Sequence, residues 1–398
     1  VGRQEVFAVL RELNRELGVT IFMASHSAEE MAEHADRIML LSEGEAVALG
    51  TPDDIYGDVE RLQALGLRPP QVARTFHLIN RAGYPLPQIP VRLSDGLAAL
   101  NALRAQCTVS PPAHLPAAPS RGGEPLLSAR NLTHTYPDGT TALRDVSLDI
   151  REGEYVLIIG QNGAGKSTLV KHFLHLLEPT GGEVYYRGRD IRACEVSELA
   201  RRIGYVAQNP DNQIFTSSVE EEVGFALKNL GYSPAEIERR TVENLAAMGL
   251  LEHRNRHPLS LPRGDRARIV IAAVLAMEPE IVIFDEPTTG QDFRGARSIL
   301  QLSRRLHRQG KTVIVITHHL HLMPEYAGRV IVMGRGTILL DAPIREAYHR
   351  VDVLQSTFLT PPQAVLLARQ LGEEDFPLLT PEEVAACFDC RGTGGGPQ

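Results

Sequence analysis

Residues 155–168 read YVLIIGQNGAGKST: five apolar residues, then a glycine-rich loop of the form GxxxxGK[ST]. The adjoining run LVKHFLHLL at 169–177 has the length and composition of a helix. A strand, a glycine loop and a helix in that order make a cradle for a phosphate. Gly160, Gly163 and Gly165 let successive backbone N–H groups curl around the anion, Lys166 supplies a point charge, and the helix N-terminus adds its partial positive charge. Ser167 offers a hydroxyl to Mg²⁺. A glycine-rich turn without a ligand is the competing reading, and the strand before it and helix after it argue against that.

Two later apolar runs end in residues suited to the same chemistry. IVIFDE at 281–286 predicts a strand that delivers Asp285 and Glu286 to the carboxyl edge of a parallel sheet, where open α/β sheets bind ligands. Asp285 can enter a Mg²⁺ shell, while Glu286 can orient and polarise an attacking water for phosphoryl transfer. TVIVIT at 312–317 predicts the next strand, and His318 follows it as a candidate γ-phosphate sensor. Ahead of the phosphate loop, residues 126–154 alternate apolar and polar residues between the turn signals Pro137-Asp138-Gly139 and Glu152-Gly153, which predicts strands and hairpins.

The chain also repeats itself. GVTIFMASHSAEEMAEHADRIMLL from Gly18 parallels GKTVIVITHHLHLMPEYAGRVIVM from Gly310, and His26 and His318 stand 292 positions apart. RLQALGLRPPQVARTFHLINRAGYPLP from Arg61 parallels VLQSTFLTPPQAVLLARQLGEEDFPLL from Val353, and Pro69 and Pro361 are again 292 apart, with one residue lost and regained between the two stretches. Residues 1–103 thus repeat the last third of the longer copy that lies C-terminal to them. The connecting CTVSPPAHLPAAPSRGGEP at 107–125 is too poor in large apolar residues to bury a core and reads as a linker. The predicted organisation is a partial first copy at 1–103, a linker at 104–125, a complete domain at 126–350, and a C-terminal extension at 351–398 with a disordered end.

Composition bounds the function. With 398 residues, 43% hydrophobic and 23% charged, the chain can bury two domains' worth of core. A formal net charge of -8 gives no electrostatic reason to expect nucleic acid or anionic lipid as a partner. The longest apolar runs, such as IVIAAVLAM at 269–277, fall well short of the roughly 18 residues a spanning helix needs. With no such run, and no signal peptide expected, any membrane role is expected to come through a partner. Four cysteines suit a reducing compartment, and the single CxxC at Cys387 and Cys390 has no second pair or nearby His to complete a tetrahedral metal site.

These motifs together resemble the ABC-type ATPases, and more closely the fused ATPase component of energy-coupling factor (ECF) importers of vitamins or metal ions. The resemblance covers nearly the whole chain, and QNPDNQIF at 208–215 and the PPQ-containing tails carry its finer part. It implies an α/β phosphate-loop NTPase fold of ABC type, a RecA-like core with an antiparallel β subdomain and an α-helical subdomain, preceded by the C-terminal remnant of a second copy. It implies ATP and Mg²⁺ as ligands. Tyr136 would stack on adenine, although packing of its own strand explains the residue as well. Gly160, Asn162, Gly163, Gly165, Lys166, Ser167 and Thr168 would hold the phosphates, and Gln208, Ser167 and Asp285 the metal. Glu286, His318 and Gln208 would act in hydrolysis. Asp292 would contact nucleotide across a domain interface, or simply cap the helix after it.

Two departures from the family pattern stand out. Val1 aligns just after a D-loop, so the first copy lacks its phosphate loop, its signature and its acidic strand; a partial sequence and an alternative start codon both fit. The second lies in LSLPRGDRARIVIA at 259–272. Anchored on Arg268 and IAAVLA, the family's LSGGQ signature falls on Leu261, Pro262, Arg263, Gly264 and Asp265; the alternative, anchored on Leu259 and Ser260, needs two inserted residues. The serine hydroxyl is lost, Pro262 removes an N–H donor, and Asp265 adds negative charge where a phosphate would sit. Gly264 and Arg263 remain as candidate contacts, and the signature reads as degenerate.

The function expected from the resemblance is ATP-driven import, with an integral membrane coupling subunit, a substrate-binding membrane subunit and a second ATPase domain, in cis or in a dimer, as partners. The chain would sit on the cytoplasmic face of the cell membrane without entering it and without binding nucleic acid. A soluble ABC ATPase acting elsewhere, and a nucleotide-binding relic that does not hydrolyse, are the competing expectations.

Overall fold

The computed structural model describes residues 3–42, 44–112, 115, 123–291, 293–372 and 377–389. The chain divides into two compact units, Ala118–Leu359 and a second made of Val1–Ala117 with Thr360–Gln398.

In the larger unit the strands are β1 (Pro125–Thr135), β2 (Thr141–Arg151), β3 (Tyr155–Ile159), β4 (Gly181–Tyr186), β5 (Arg189–Asp190), β6 (Ile203–Val206), β7 (Ile281–Asp285), β8 (Thr312–Ile316), β9 (Arg329–Gly334) and β10 (Thr337–Pro343). Six of them form one sheet in the order β10-β9-β3-β8-β7-β6, parallel except for the antiparallel β9–β10 edge. Strands β3, β7 and β8 are buried at every residue, which explains why they read as unbroken apolar runs rather than alternating ones. The remaining four make an antiparallel sheet in the order β2-β1-β4-β5. Between the sheets lies one core in which Leu127, Leu132, Leu143 and Ile150 pack with Ile158, Ile283 and Ile316 and with Leu169, Val170 and Phe173 of α1 (Lys166–Phe173). A helical subdomain of α2 (Val219–Asn229), α3 (Pro234–Ala247) and α4 (Arg263–Ala276) has its own core of Val219, Val223, Leu227, Leu245, Leu261, Ile269 and Ala272. Helix α5 (Phe293–Arg308) turns Ala296, Ile299, Leu300, Ser303 and Leu306 inward and packs against β8.

The second unit carries the repeat into three dimensions. Its hairpin Ile38–Ser42/Glu45–Gly50 matches β9–β10, and both hairpins break register at the equivalent step, Leu40/Leu41 in one and Val332/Met333 in the other. Its helices Val59–Ala64 and Gln71–Arg81 match Val351–Ser356 and Gln363–Leu371.

One expected element does not form. Residues 18–25, aligned with β8, contain no strand, and Phe22 is 85% exposed where its counterpart Ile314 is fully buried. A parallel central strand needs a partner on each side, as β8 has in β3 and β7, and among the described residues no strand lies beside 18–25. Leu41 is likewise exposed where Met333 is buried.

The extension also divides differently from the expected boundary at 351. Val351–Ser356 stays with the larger unit, with Leu354 buried as the helix packs on β9. From Thr360 onward the chain joins the first-copy unit, where Ala364, Leu367 and Ala368 pack with Val72, Phe76, Ile79 and Leu100 in one core. The joint is finished by two-residue strands, Thr108–Val109 antiparallel to Phe388–Asp389. Gly96, inside the helix Leu93–Arg104, is required there: a Cβ would stand 2.5 Å from Val72 Cγ1. Cys387 is buried in this core, where burial pushes its thiol up to about 12, so it packs as a protonated apolar side chain. Cys390 lies outside the described residues.

Candidate functional site

The phosphate loop leaves the carboxyl end of β3, with β8 on one side and β9 on the other. Gly160 has φ +153° and a Cβ there would lie 2.2 Å from the Met333 carbonyl oxygen, while Gly165 has φ +97° with the Ala142 carbonyl 2.5 Å from the same position. No L side chain fits either place, so the loop's path between β9 and β2 requires glycine at both positions. Lys166 is buried, and its Nζ donates to the carbonyls of Gly160 at 2.8 Å and Gln161 at 3.0 Å. Burial lowers the pKa of this ammonium, and the charges of Glu286 and Asp285 oppose the shift. Asn162, Gly163 and Ser167 are exposed along the same loop and Thr168 is buried beneath it.

Opposite the loop, β7 delivers Asp285 and Glu286, both buried. Asp285 accepts a hydrogen bond from Tyr205 Oη at 3.0 Å, and the Ser167 hydroxyl lies close enough to favour its charged form. Burial raises its pKa and the nearby Glu286 adds to that, against the Tyr205 hydrogen bond, the Ser167 hydroxyl and Lys166. Glu286 holds φ +50°, a left-handed conformation that costs a non-glycine residue about 1–3 kcal/mol. Its N–H is anchored to the Ile316 carbonyl at 2.8 Å. That turn aims the side chain at His318, whose Nδ1 lies 2.9 Å from Glu286 Oε2. Lys166, Ser167, Asp285, Glu286 and His318, 152 positions apart at the extremes, therefore converge.

Tyr136 is half-buried, and its Oη is 3.1 Å from Thr168 Oγ1 at the start of α1. His134 meets its ring edge-on at 4.7 Å between centroids, which fixes the plane of the aromatic. His172, its pKa lowered by burial, holds the Thr168 carbonyl through Nδ1 at 2.7 Å. The expected adenine platform and the phosphate helix are thus tied together.

Gln208 is exposed beyond β6 and makes no hydrogen bond to Asp285 or Ser167 among the described residues; it lines a small crevice with Arg263, Pro287 and Gln291. At the stretch aligned with the signature, Leu261 is buried in the helical core whereas Leu259 is exposed, which favours the alignment anchored on Arg268 over the one anchored on Leu259. Pro262 stands at the N-cap of α4 with no side-chain cap, Asp265 pairs with Arg268 at 3.2 Å, and a Cβ on Gly264 would come 3.2 Å from Gln291 Oε1. The Arg263 guanidinium lies over Gly290, its Cζ 3.2 Å from where a Cβ would be. Asp292 lies outside the described residues.

Tyr205 escaped the sequence reading because one tyrosine in IGYV looks like an ordinary strand residue. The available signal was register: it pairs with Ile283 in the parallel ladder, two positions before Asp285.

A parallel sheet with this loop at its centre and two carboxylates on the next-but-one strand defines a phosphate-loop ATPase fold. The family model described as ABC transporter matches residues 143–289. A protein of Methanosarcina mazei named as an ABC transporter ATP-binding protein is 38% identical over 384 residues, covering 94% of this chain and 65% of that protein. One of Caldanaerobacter subterraneus with the same description is 33% identical over 391 residues, 97% of this chain and 68% of that one. The chain belongs to the ABC transporter ATP-binding proteins. It spans about two thirds of the length of these curated relatives, 65% and 68%. Among solved structures, cbiO1 from Clostridium perfringens, described as part of the ABC transporter complex cbiONQ, is 33% identical with TM-score 0.54 and covers 62% of this chain and 99% of that one. A dimeric ATP-binding cassette in a post-hydrolysis state bound to ADP and Pi is 32% identical with TM-score 0.51, covering 55% of this chain and 98% of that one.

Proposed function

We propose that this chain binds and hydrolyses ATP to energise an importer of the ECF type, carrying a vitamin or a metal ion across the cell membrane. The observation that carries the ATPase part is the Glu286–His318 contact at 2.9 Å beside Lys166 and Asp285. Gly160, Asn162, Gly163, Gly165, Lys166, Ser167 and Thr168 bind the phosphates, and Tyr136 stacks on the base. Mg²⁺ fits the donors present, the Asp285 carboxylate and the neighbouring Ser167 hydroxyl, with Gln208 as a further oxygen ligand. When bound, the metal offsets phosphate charge. Glu286 orients the attacking water and accepts its proton, and His318 holds that carboxylate while facing the γ-phosphate. Asp292 and Gly264 contribute at the interface with a second ATPase domain.

The importer part is supported by likeness to cbiO1 and by QNPDNQIF at 208–215. Residues 1–103 are read as the C-terminal part of a first ATPase domain, a reading the repeated hairpin bulge supports. Partners are an integral coupling subunit, a substrate-binding membrane subunit and a second ATPase domain. The chain docks peripherally on the cytoplasmic face; no helix among the described residues is long and apolar enough to cross a membrane. The coupling subunit meets the helical subdomain near Phe215 and Phe225, 64% and 39% exposed and packed edge-on at 4.5 Å. Steady-state phosphate release tests the reading. Turnover should be stimulated by the membrane subunits and absent in Glu286→Gln, and an unstimulated, Glu286-independent rate would overturn it.

A further inference from the structure

The carboxylate at the centre of the site is held by a residue that none of the chemistry above uses. Tyr205 Oη donates to Asp285 Oδ2 at 3.0 Å, and Asp285 is buried. A carboxylate has two oxygens, and a fixed donor on one decides where the other points. Tyr205 is itself pinned from behind. The Gln213 side chain takes both backbone groups that bracket Val206: its Nε2 donates to the Tyr205 carbonyl at 3.1 Å and its Oε1 accepts from the Ala207 N–H at 2.7 Å. β6 is the edge strand of its sheet, and its ladder with β7 ends at Val206, one residue before Ala207.

Gln213 belongs to the loop that exposes Phe215, and the far side of that loop is closed by one buried carboxylate. Glu222 Oε2 accepts from the N–H groups of Phe215 at 3.1 Å and Thr216 at 2.9 Å, and from Thr216 Oγ1 at 2.8 Å. Between the exposed aromatic pair and Asp285 thus stand Gln213, two residues along the chain from Phe215 and hydrogen-bonded to the Tyr205 backbone, and Tyr205, hydrogen-bonded to Asp285. A displacement of the 209–216 loop that pulls Gln213 must let go of the end of β6, and with it the tyrosine.

We infer that Tyr205 is a positioning residue for the metal-binding carboxylate Asp285, and that Gln213 couples its placement to the loop carrying Phe215. The inference rests on the reading of Asp285 as a Mg²⁺ ligand. Tyr205→Phe keeps the ring and removes only the donor, so the fold survives and Asp285 becomes free to rotate. Partners that orient a metal ligand typically govern about 10–100-fold in metal affinity.

The test is calorimetric titration of the full chain with ATP over a series of Mg²⁺ concentrations and in its absence. Tyr205→Phe should leave metal-free ATP binding unchanged while weakening the Mg²⁺ dependence by about tenfold or more. Gln213→Ala should shift the Mg²⁺ dependence in the same direction by less, and the double variant should be no worse than Tyr205→Phe alone. An unchanged Mg²⁺ dependence in Tyr205→Phe overturns the inference, as does an equal loss with and without metal, which marks a purely structural tyrosine. Additive effects in the double variant overturn the coupling through Gln213. A wild-type chain that binds ATP with no response to Mg²⁺ would instead refute the metal-ligand reading of Asp285, so the two failures are distinguishable.

Discussion

Gln71 and Gln363, 292 positions apart, cap each other's helices: Gln71 Oε1 accepts from the Ala364 N–H at 3.1 Å, and Gln363 Oε1 accepts from the Val72 N–H at 3.2 Å. Both helices begin after a proline N-cap, Pro70 or Pro362, that provides no side-chain acceptor. First-turn N–H groups need a partner from somewhere, and here each copy of the repeat supplies the other's. A buried donor left unpaired costs about 1–3 kcal/mol. Gln71→Ala and Gln363→Ala should therefore each destabilise the chain by about that much in urea unfolding. The double variant should lose the sum, since each bond serves a different N–H. Stability unchanged in both singles would mean that solvent reaches these N–H groups.

The reciprocal pair also marks what the sequence could and could not convey. The repeat itself was legible as a constant offset, because aligned Pro-Pro-Gln stretches stand out against differing surroundings. That the two tails fold together was not, because Val72, Phe76 and Ile79 form an apolar helix face whose partner no periodicity names. At the site, the glycine loop and acidic strand end were readable since their backbone demands leave few residue choices. Tyr205 was missed because a strand pattern does not reveal a hydroxyl's partner. Thr20–Ser25 has the pattern of a strand and forms none, because local pattern ignores whether neighbouring strands exist.

Nucleotide binding should depend on Lys166, whose buried ammonium the loop itself encloses. Lys166→Ala should abolish saturable ATP binding by calorimetry, whereas Glu286→Gln should keep binding and lose turnover. His318→Ala removes the partner 2.9 Å from Glu286 and should lower the rate by about 10²–10⁴-fold with little change in ATP affinity.

Cys387 offers a probe of the second unit. Its thiol is buried and pushed up to about 12, so at pH 8 almost none is thiolate in the folded state. Alkylation at pH 8, read by peptide mass spectrometry, should leave Cys387 unmodified until denaturant exposes it. Rapid labelling in native buffer would show that the joint formed by Thr108–Val109 and Phe388–Asp389 opens readily.

A signature worn in this way would set a limit on what two copies of this chain could do together. Facing each other, they would present only Leu261-Pro262-Arg263-Gly264-Asp265 to the opposite nucleotide. Pro262 stands at the N-cap of α4 with neither hydroxyl nor N–H to offer, and Arg263 lies over Gly290 of its own unit. The side chain next in line, Asp265, repels phosphate even with Arg268 3.2 Å away. Removing one preorganised donor from a transition state costs about 3 kcal/mol, about 10²–10³ in rate. The chain alone should therefore bind ATP and turn it over slowly, its competent site being one completed by a signature from a different domain. Pro262→Ser, Arg263→Gly and Asp265→Gln together should raise steady-state phosphate release by about 10² under dimerising conditions, with Glu286→Gln as the blank. Equal and robust turnover before and after the repair would show that LPRGD is a working signature and that the two ATP sites of the assembled pair need not differ.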